Sequence, residues 1–167
     1  KGKNVAVIGA GNSGLEAAID LSGICNSVSV YEFSDHPKAD TVLQQKAATL
    51  DNLQIFTNSQ VTKVEGDGTK LTAITVKDRT NDEERSIGID GVFVQIGLAA
   101  NSEPFKEQLD MTPRHEIKVD EFCRTTIAGV YAAGDVTNVP YKQIVIAMGE
   151  GAKAALSAFD DRLRGII

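Results

Sequence analysis

The chain has 167 residues, a length that suits one domain or two small ones and that buries roughly two thirds of the unfolded surface. Its apolar fraction is 42%, its charged fraction 24% and its net charge −6; the positive groups do not cluster, which argues against nucleic acid and anionic membranes as partners. No apolar run approaches the ~20 residues that span a bilayer, and no signal-peptide pattern opens the chain, so a soluble, cytoplasmic protein is expected.

Residues 5–8 form a continuous apolar run, the mark of a buried parallel strand. A glycine turn follows, and Asn12 or Ser13 is placed to cap a helix whose apolar residues Leu15, Ala18, Ile19 and Leu21 recur at helical spacing until Gly23. Residues 28–32 read as a second strand. Strand, helix and strand in about thirty residues make a βαβ unit, which demands a parallel sheet and a right-handed crossover. A helix over 40–50 and a strand over 53–56 come next. Residues 60–65 and 71–77 alternate on either side of Gly66-Asp67-Gly68, a hairpin signal, and 85–89 adds a third strand to this β-meander. Residues 91–96 are again continuously apolar and end at Gly97, which supplies the last parallel strand.

A boundary falls near 98–104, where the chain turns small and polar before a weak helical piece over 105–109. Short strands over 116–119 and 129–133 lead to Gly134-Asp135 and a helix over 142–163 that carries Ile144, Val145, Ala147, Met148, Ala152, Ala155, Leu156 and Phe159. The fold class is α/β, with residues 1–100 as a Rossmann-like three-layer nucleotide-binding domain of parallel sheet and β-meander. Residues 101–167 hold too few elements for a core of their own and read as part of a domain whose other part is missing. Cys25 and Cys123 form no CxxC and propose neither a disulfide nor a zinc site, so both are expected to be reduced structural thiols.

Gly9-Ala10-Gly11-Asn12-Ser13-Gly14 is a GxGxxG pattern set between a strand and a helix, as its mechanism requires. Gly9 permits the tight turn, Gly11 lets a pyrophosphate approach the backbone, and Gly14 lets helix and strand pack closely. The helix N-terminus offers free N–H groups and a positive dipole end to the phosphates. By itself the pattern is weak, but Glu32 ends the second strand roughly 20 residues on, where a carboxylate accepts from both ribose hydroxyls. Without that register Glu32 reads as an ordinary strand-end surface carboxylate. No arginine lies among residues 31–38 to neutralise a 2′-phosphate, so NADH is favoured over NADPH. His36 and His115 read as exposed loop residues, 81–84 as a solvated acidic loop, and no metal site is indicated.

The motif Val7-Ile8-Gly9-Ala10-Gly11-Asn12-Ser13-Gly14-Leu15-Glu16-Ala17-Ala18, then Tyr31-Glu32-Phe33, Phe93-Val94-Gln95-Ile96-Gly97, Ala132-Ala133-Gly134-Asp135 and Val139-Pro140-Tyr141-Lys142-Gln143-Ile144 together resemble the C-terminal half of thioredoxin-reductase-type flavoproteins. The context of Glu32 and the Lys38-Ala39-Asp40 that follows are most similar to the branch formed by the flavoprotein component of alkyl hydroperoxide reductase, which uses NADH. The resemblance implies hydride transfer from NADH to FAD, then electrons to a CxxC disulfide and on to a peroxiredoxin or thioredoxin-like partner, in a homodimer. It also implies that Asp135, after Gly134, bonds the ribityl and pyrophosphate region of FAD. The helix starting near Lys142, Gln143 and Ile144 would aim its N-terminus at the flavin ring, and Gly97 would pass the nicotinamide end.

The family's first FAD fingerprint and its CxxC have no counterpart in this sequence, so the chain is expected to be a fragment, inactive alone. A thioredoxin-reductase-like ferredoxin reductase is the alternative enzyme, though it prefers NADPH, which Glu32 disfavours. A non-catalytic nucleotide-binding module is the third reading. No catalytic acid, base or nucleophile stands out, as befits chemistry carried by cofactors.

Overall fold

In the computed structural model, which describes residues 1–167, the first apolar run becomes strand β1 (Asn4–Ile8) and the glycine turn delivers the chain into helix α1 (Asn12–Ser22). Strand β2 (Ser27–Tyr31), helix α2 (Thr41–Ala47) and strand β3 (Leu53–Phe56) follow. A meander of β4 (Ser59–Gly66), β5 (Leu71–Asp78) and β6 (Glu84–Gly88) returns the chain to β7 (Gly91–Val94). The four parallel strands lie in the order β3-β2-β1-β7, and the antiparallel sheet in the order β4-β5-β6. All of these belong to the first of two compact units, Lys1–Gly97; the second is Leu98–Ile167.

The first unit is three-layered because its central strands bury both faces. Val5 and Val7 of β1 and Val28 and Val30 of β2 face the helices, where they meet Leu15 and Ala18 of α1. One residue out of phase, Ala6 and Tyr31 face the meander and pack with Ile74 and Val76 of β5 and with Ile89. This two-sided burial is why β1 reads as an unbroken apolar run over residues 5–8, whereas β2 alternates its valines with Ser27 and Ser29. Helix α2 is shorter than the 40–50 expected, with Asp40 as its N-cap and a turn from Ala48 onward.

The second unit departs further from the sequence expectation. The helical piece expected over 105–109 is a 3-10 turn at Glu103–Phe105, which Pro104 favours by fixing an early φ. The strands expected over 116–119 and 129–133 reduce to isolated bridges, Met111 with Ile117, Ile117 with Thr137, and Arg124 with Tyr131. Side chains satisfy much of the local backbone instead: Asp120 accepts from the N–H groups of Phe122 and Arg124, and Thr125 from that of Ile127. Gly134–Val136 forms a second 3-10 turn, and helix α3 (Ile144–Leu163) starts two residues later than expected.

Candidate functional site

The carboxyl ends of β1, β2 and β7 open onto a cleft of about 500 Å³, walled by the turn after β1, the residues after β2 and Gln95-Ile96-Gly97 after β7. Ligands of open α/β sheets bind in such a crevice, outside the strand ends. Its geometry begins at the glycines. Gly9 has φ +102°, and a Cβ there would stand 2.3 Å from the Gln95 carbonyl oxygen; a Cβ at Gly14 would stand 2.0 Å from the Gly9 oxygen. A Cβ at Gly11 would meet nothing within 4 Å, although Gly11 lines the cleft. The turn therefore needs glycine at its two ends for packing, whereas the room at the middle glycine is free space in front of the backbone.

Neither Asn12 nor Ser13 caps α1: the N-cap is Gly11, and no side chain bonds the first turn. Asn12 faces α2 instead. Its amide donates to the Asp40 carboxylate at 2.9 Å and its oxygen accepts from the Asp40 N–H at 2.7 Å, while the Ala10 carbonyl accepts from the N–H groups of Lys38 and Ala39. These bonds fasten the segment before α2 to the glycine turn. They leave the first N–H groups of α1 unclaimed by any side chain, the condition for receiving an anion at a helix N-terminus.

Glu32, immediately after β2, lines the cleft yet is only 6% exposed. One carboxylate oxygen accepts from the Ala10 N–H at 2.7 Å and the other from the Ser34 N–H at 2.9 Å. Burial alone raises its pKa, but the Ser34 and Ala10 N–H groups, with Lys38 nearby, outweigh burial and hold the carboxyl below its ordinary range. Lys38 is the one cation lining the cleft. Sequence spacing missed Arg79, which lies 46 residues from Phe33: its guanidinium donates to the Phe33 carbonyl at 2.7 Å and sits 3.6 Å from the ring centroid. Nothing in a window of residues 31–38 signals an arginine brought in by a hairpin.

The site residues read from the sequence thus fall into two groups. Gly9, Gly11, Ser13, Glu32 and Gly97 line the cleft of the first unit, while Asn12 turns to Asp40 and Gly14 lies buried beneath Gly9. In the second unit Asp135 and Lys142 line a separate cavity of about 610 Å³, together with Glu116 and Arg114. Gly134 has φ +77°, and a Cβ there would press on that of Ala147 at 3.1 Å, so it brings the 3-10 turn against α3. The Lys142 ammonium pairs with Glu116 at 3.1 Å and donates to the Thr137 carbonyl. Gln143 is the N-cap of α3, and Ile144, its first residue, is 83% exposed.

Two polar clusters of the second unit lie away from that cavity. Asp161 is buried on α3, where Arg124 grips it through Nε at 2.6 Å and a terminal nitrogen at 2.7 Å, and the Tyr131 hydroxyl adds a bond at 2.6 Å. Cys123 is buried with its thiol donating to the Glu150 carboxylate at 3.1 Å; burial first, then that negative charge, push the thiol up to about 11. Cys25 and Cys123 are both free thiols. No group of three or more His, Cys, Asp or Glu side chains is arranged to hold a metal ion, and no helix is long and apolar enough to cross a membrane.

Residues 1–151 match the family described as pyridine nucleotide-disulphide oxidoreductase. The chain is 57% identical over 164 residues to the F component of alkyl hydroperoxide reductase from Xanthomonas campestris pv. phaseoli, covering 98% of this chain and 31% of that protein. Against the same component from Pseudomonas aeruginosa the identity is 54%, over 98% of this chain and 32% of the relative. In three dimensions it is similar to the thioredoxin reductase of T. acidophilum, with a TM-score of 0.76 and 41% identity over 98% of this chain and 54% of the other. The chain spans about a third of the length of the curated relatives it matches.

Proposed function

This chain belongs to the pyridine nucleotide-disulphide oxidoreductase family, and from that premise we propose that its first unit binds NADH for a flavoprotein disulfide reductase. The observation that carries the reading is the pairing of two features in one cleft: open space at Gly11, before an uncapped helix start, and an anchored carboxylate at Glu32. The N–H groups of Asn12 and Ser13 hold the pyrophosphate against the positive end of α1. Glu32, kept ionised by its two backbone donors, accepts from the adenosine ribose hydroxyls and opposes a 2′-phosphate. Lys38 offsets part of that charge, so the preference for NADH over NADPH is a ratio of affinities rather than an exclusion. Gly97 and its neighbours bound the nicotinamide end.

The remaining assignments rest on likeness to the F component of alkyl hydroperoxide reductase and to thioredoxin reductase. Residues 1–100 are the nucleotide-binding domain and 101–167 the C-terminal portion of an FAD-binding domain. Gly134 and Asp135, with Lys142, the N-cap Gln143 and the first α3 residue Ile144, face the flavin there. When bound, the nicotinamide and the flavin supply the hydride and electron chemistry, and this chain supplies position and electrostatics. In the whole cytoplasmic enzyme, a homodimer, electrons pass to a CxxC disulfide outside this sequence and then to a peroxiredoxin or thioredoxin-like partner. This chain alone reduces no disulfide.

Calorimetric titration of the purified chain with NADH, NADPH and FAD in parallel tests the reading. NADH is expected to bind, more tightly than NADPH, with no heat from FAD. NADPH binding the more tightly would remove the role given to Glu32, and binding of neither dinucleotide would remove the cleft assignment.

A further inference from the structure

Phe33 follows Glu32 directly and is 52% exposed, yet its ring is not free. The Arg79 guanidinium lies 3.6 Å from the ring centroid and donates to the carbonyl of the same residue at 2.7 Å. Arg79 is itself fixed: its N–H donates to the Asn58 carbonyl at 2.8 Å, and the Asn58 N–H donates to the Ser34 carbonyl at 2.8 Å. Asn58 makes this closure possible by adopting φ +48°, a left-handed conformation that asparagine tolerates. The β5–β6 turn, the β3–β4 turn and the segment after β2 are therefore tied at one point, and the tie holds an aromatic ring at the cleft wall. Phe33 lines the cleft and Arg79 does not, so the guanidinium holds the ring without taking up room in the cleft.

We propose that Arg79 is a positioning residue that presents Phe33 as a stacking platform for the adenine ring of the dinucleotide, an inference that rests on the nucleotide reading above. A purine needs a flat apolar surface beside the group that holds its ribose, and Phe33 is one residue from Glu32. Stacking on aromatic side chains is a general means of binding bases. An arginine this near a ribose carboxylate is otherwise a natural ligand for a 2′-phosphate. Here the guanidinium sits over the ring and one of its donors is spent on the Phe33 carbonyl, which favours the positioning role.

A double-mutant cycle on the full chain tests this, with dissociation constants for NADH and NADPH read by fluorescence titration and folding checked by circular dichroism. Phe33→Ala is expected to weaken NADH binding by about tenfold. Arg79→Gln is expected to weaken it by about threefold, with the same factor for NADPH, and to add nothing once Phe33 is gone. Arg79→Lys, which keeps the charge but not the planar stack, is expected to behave like Arg79→Gln. A loss confined to NADPH, additive effects of the two substitutions, or rescue by lysine would overturn the inference. A silent Arg79→Gln in a chain that binds NADH removes this inference alone. A parent chain that binds no NADH removes the nucleotide reading and the inference with it.

Discussion

Alanine separates the glycines that build the turn after β1 from the one that faces the cleft. In Gly14→Ala the new methyl would stand 2.0 Å from the Gly9 carbonyl oxygen and 2.9 Å from its carbon, backbone atoms that cannot rotate away. An ordinary carbon-oxygen contact is about 3.3 Å or more, so α1 has to withdraw from β1 by roughly 1 Å. That helix carries Leu15 and Ala18, both 0% exposed, into the core. Overpacking of this kind costs about 1–3 kcal/mol, which lowers the melting temperature of a unit this size by roughly 5–20 °C. In Gly11→Ala the methyl meets nothing within 4 Å, and φ −79° with ψ −177° suits any residue. Its stability is expected to fall by no more than about 1 kcal/mol, the loss of replacing glycine by alanine at an N-cap. The same methyl fills the room given to the pyrophosphate, so NADH affinity is expected to fall by at least about tenfold. Thermal denaturation followed by circular dichroism gives the first quantity and fluorescence titration with NADH the second. A Gly11→Ala chain that melts as early as Gly14→Ala, or that binds NADH like the parent, would refute the division of roles.

Glu32→Ala strands the N–H groups of Ala10 and Ser34. It is expected to cost about 1–3 kcal/mol in a denaturant titration and to narrow the ratio of NADH to NADPH affinity; an unchanged ratio would end its ribose role. Asp161 is held down to about 2, by Arg124 foremost and then by the Tyr131 hydroxyl. A carboxyl depressed in the folded state stabilises above its unfolded pKa of roughly 3.9 and loses that contribution as the pH falls toward its folded value. The gap in urea midpoint between the parent and Asp161→Asn is accordingly expected to shrink from about pH 5 to about pH 2, and a constant gap would contradict the ion-pair account. Cys123, buried against Glu150 with its thiol near 11, is expected to ignore Ellman's reagent at about pH 8 until denaturant is added. Prompt modification of both cysteines in the folded chain would show that its burial does not protect it.

The first unit was legible because its signals are local and agree. A strand buried on two faces leaves the unbroken apolar run at Val5, Ala6 and Val7, Val28 and Val30 mark the second strand in alternation with serines, and Leu53–Phe56 falls where the apolar pattern puts it. Partnerships made across the fold were not legible. Asn12 has the chemistry of a cap, but Asp40, 28 residues away, claims both ends of its amide. Arg79 reaches Phe33 through a hairpin whose geometry no short window records. In the second unit, residues such as Thr125 and Asp120 compete for the backbone with their own side chains, and segments with strand-like composition settle as turns joined by single bridges. The residues of the candidate site were nameable where glycine and carboxylate spacing sets them, at Gly9, Gly11, Gly14 and Glu32, and not at Arg79, which a distant segment brings to Phe33.

The strand order also governs when this protein acquires its fold during synthesis. Of the four parallel strands β1 comes first in the chain, and it sits between β2 and β7. Its second neighbour arrives only with the bond between the Asn4 N–H and the Asp90 carboxylate, partners 86 residues apart, and with the pairing of Val5 to Gly91 that follows. Closing so long a loop is slow, and until β7 leaves the ribosome one edge of β1 stays open to another chain. A nascent or truncated chain ending before Gly91 is therefore the form most prone to aggregate, and Val94 is the earliest point at which the parallel sheet is complete.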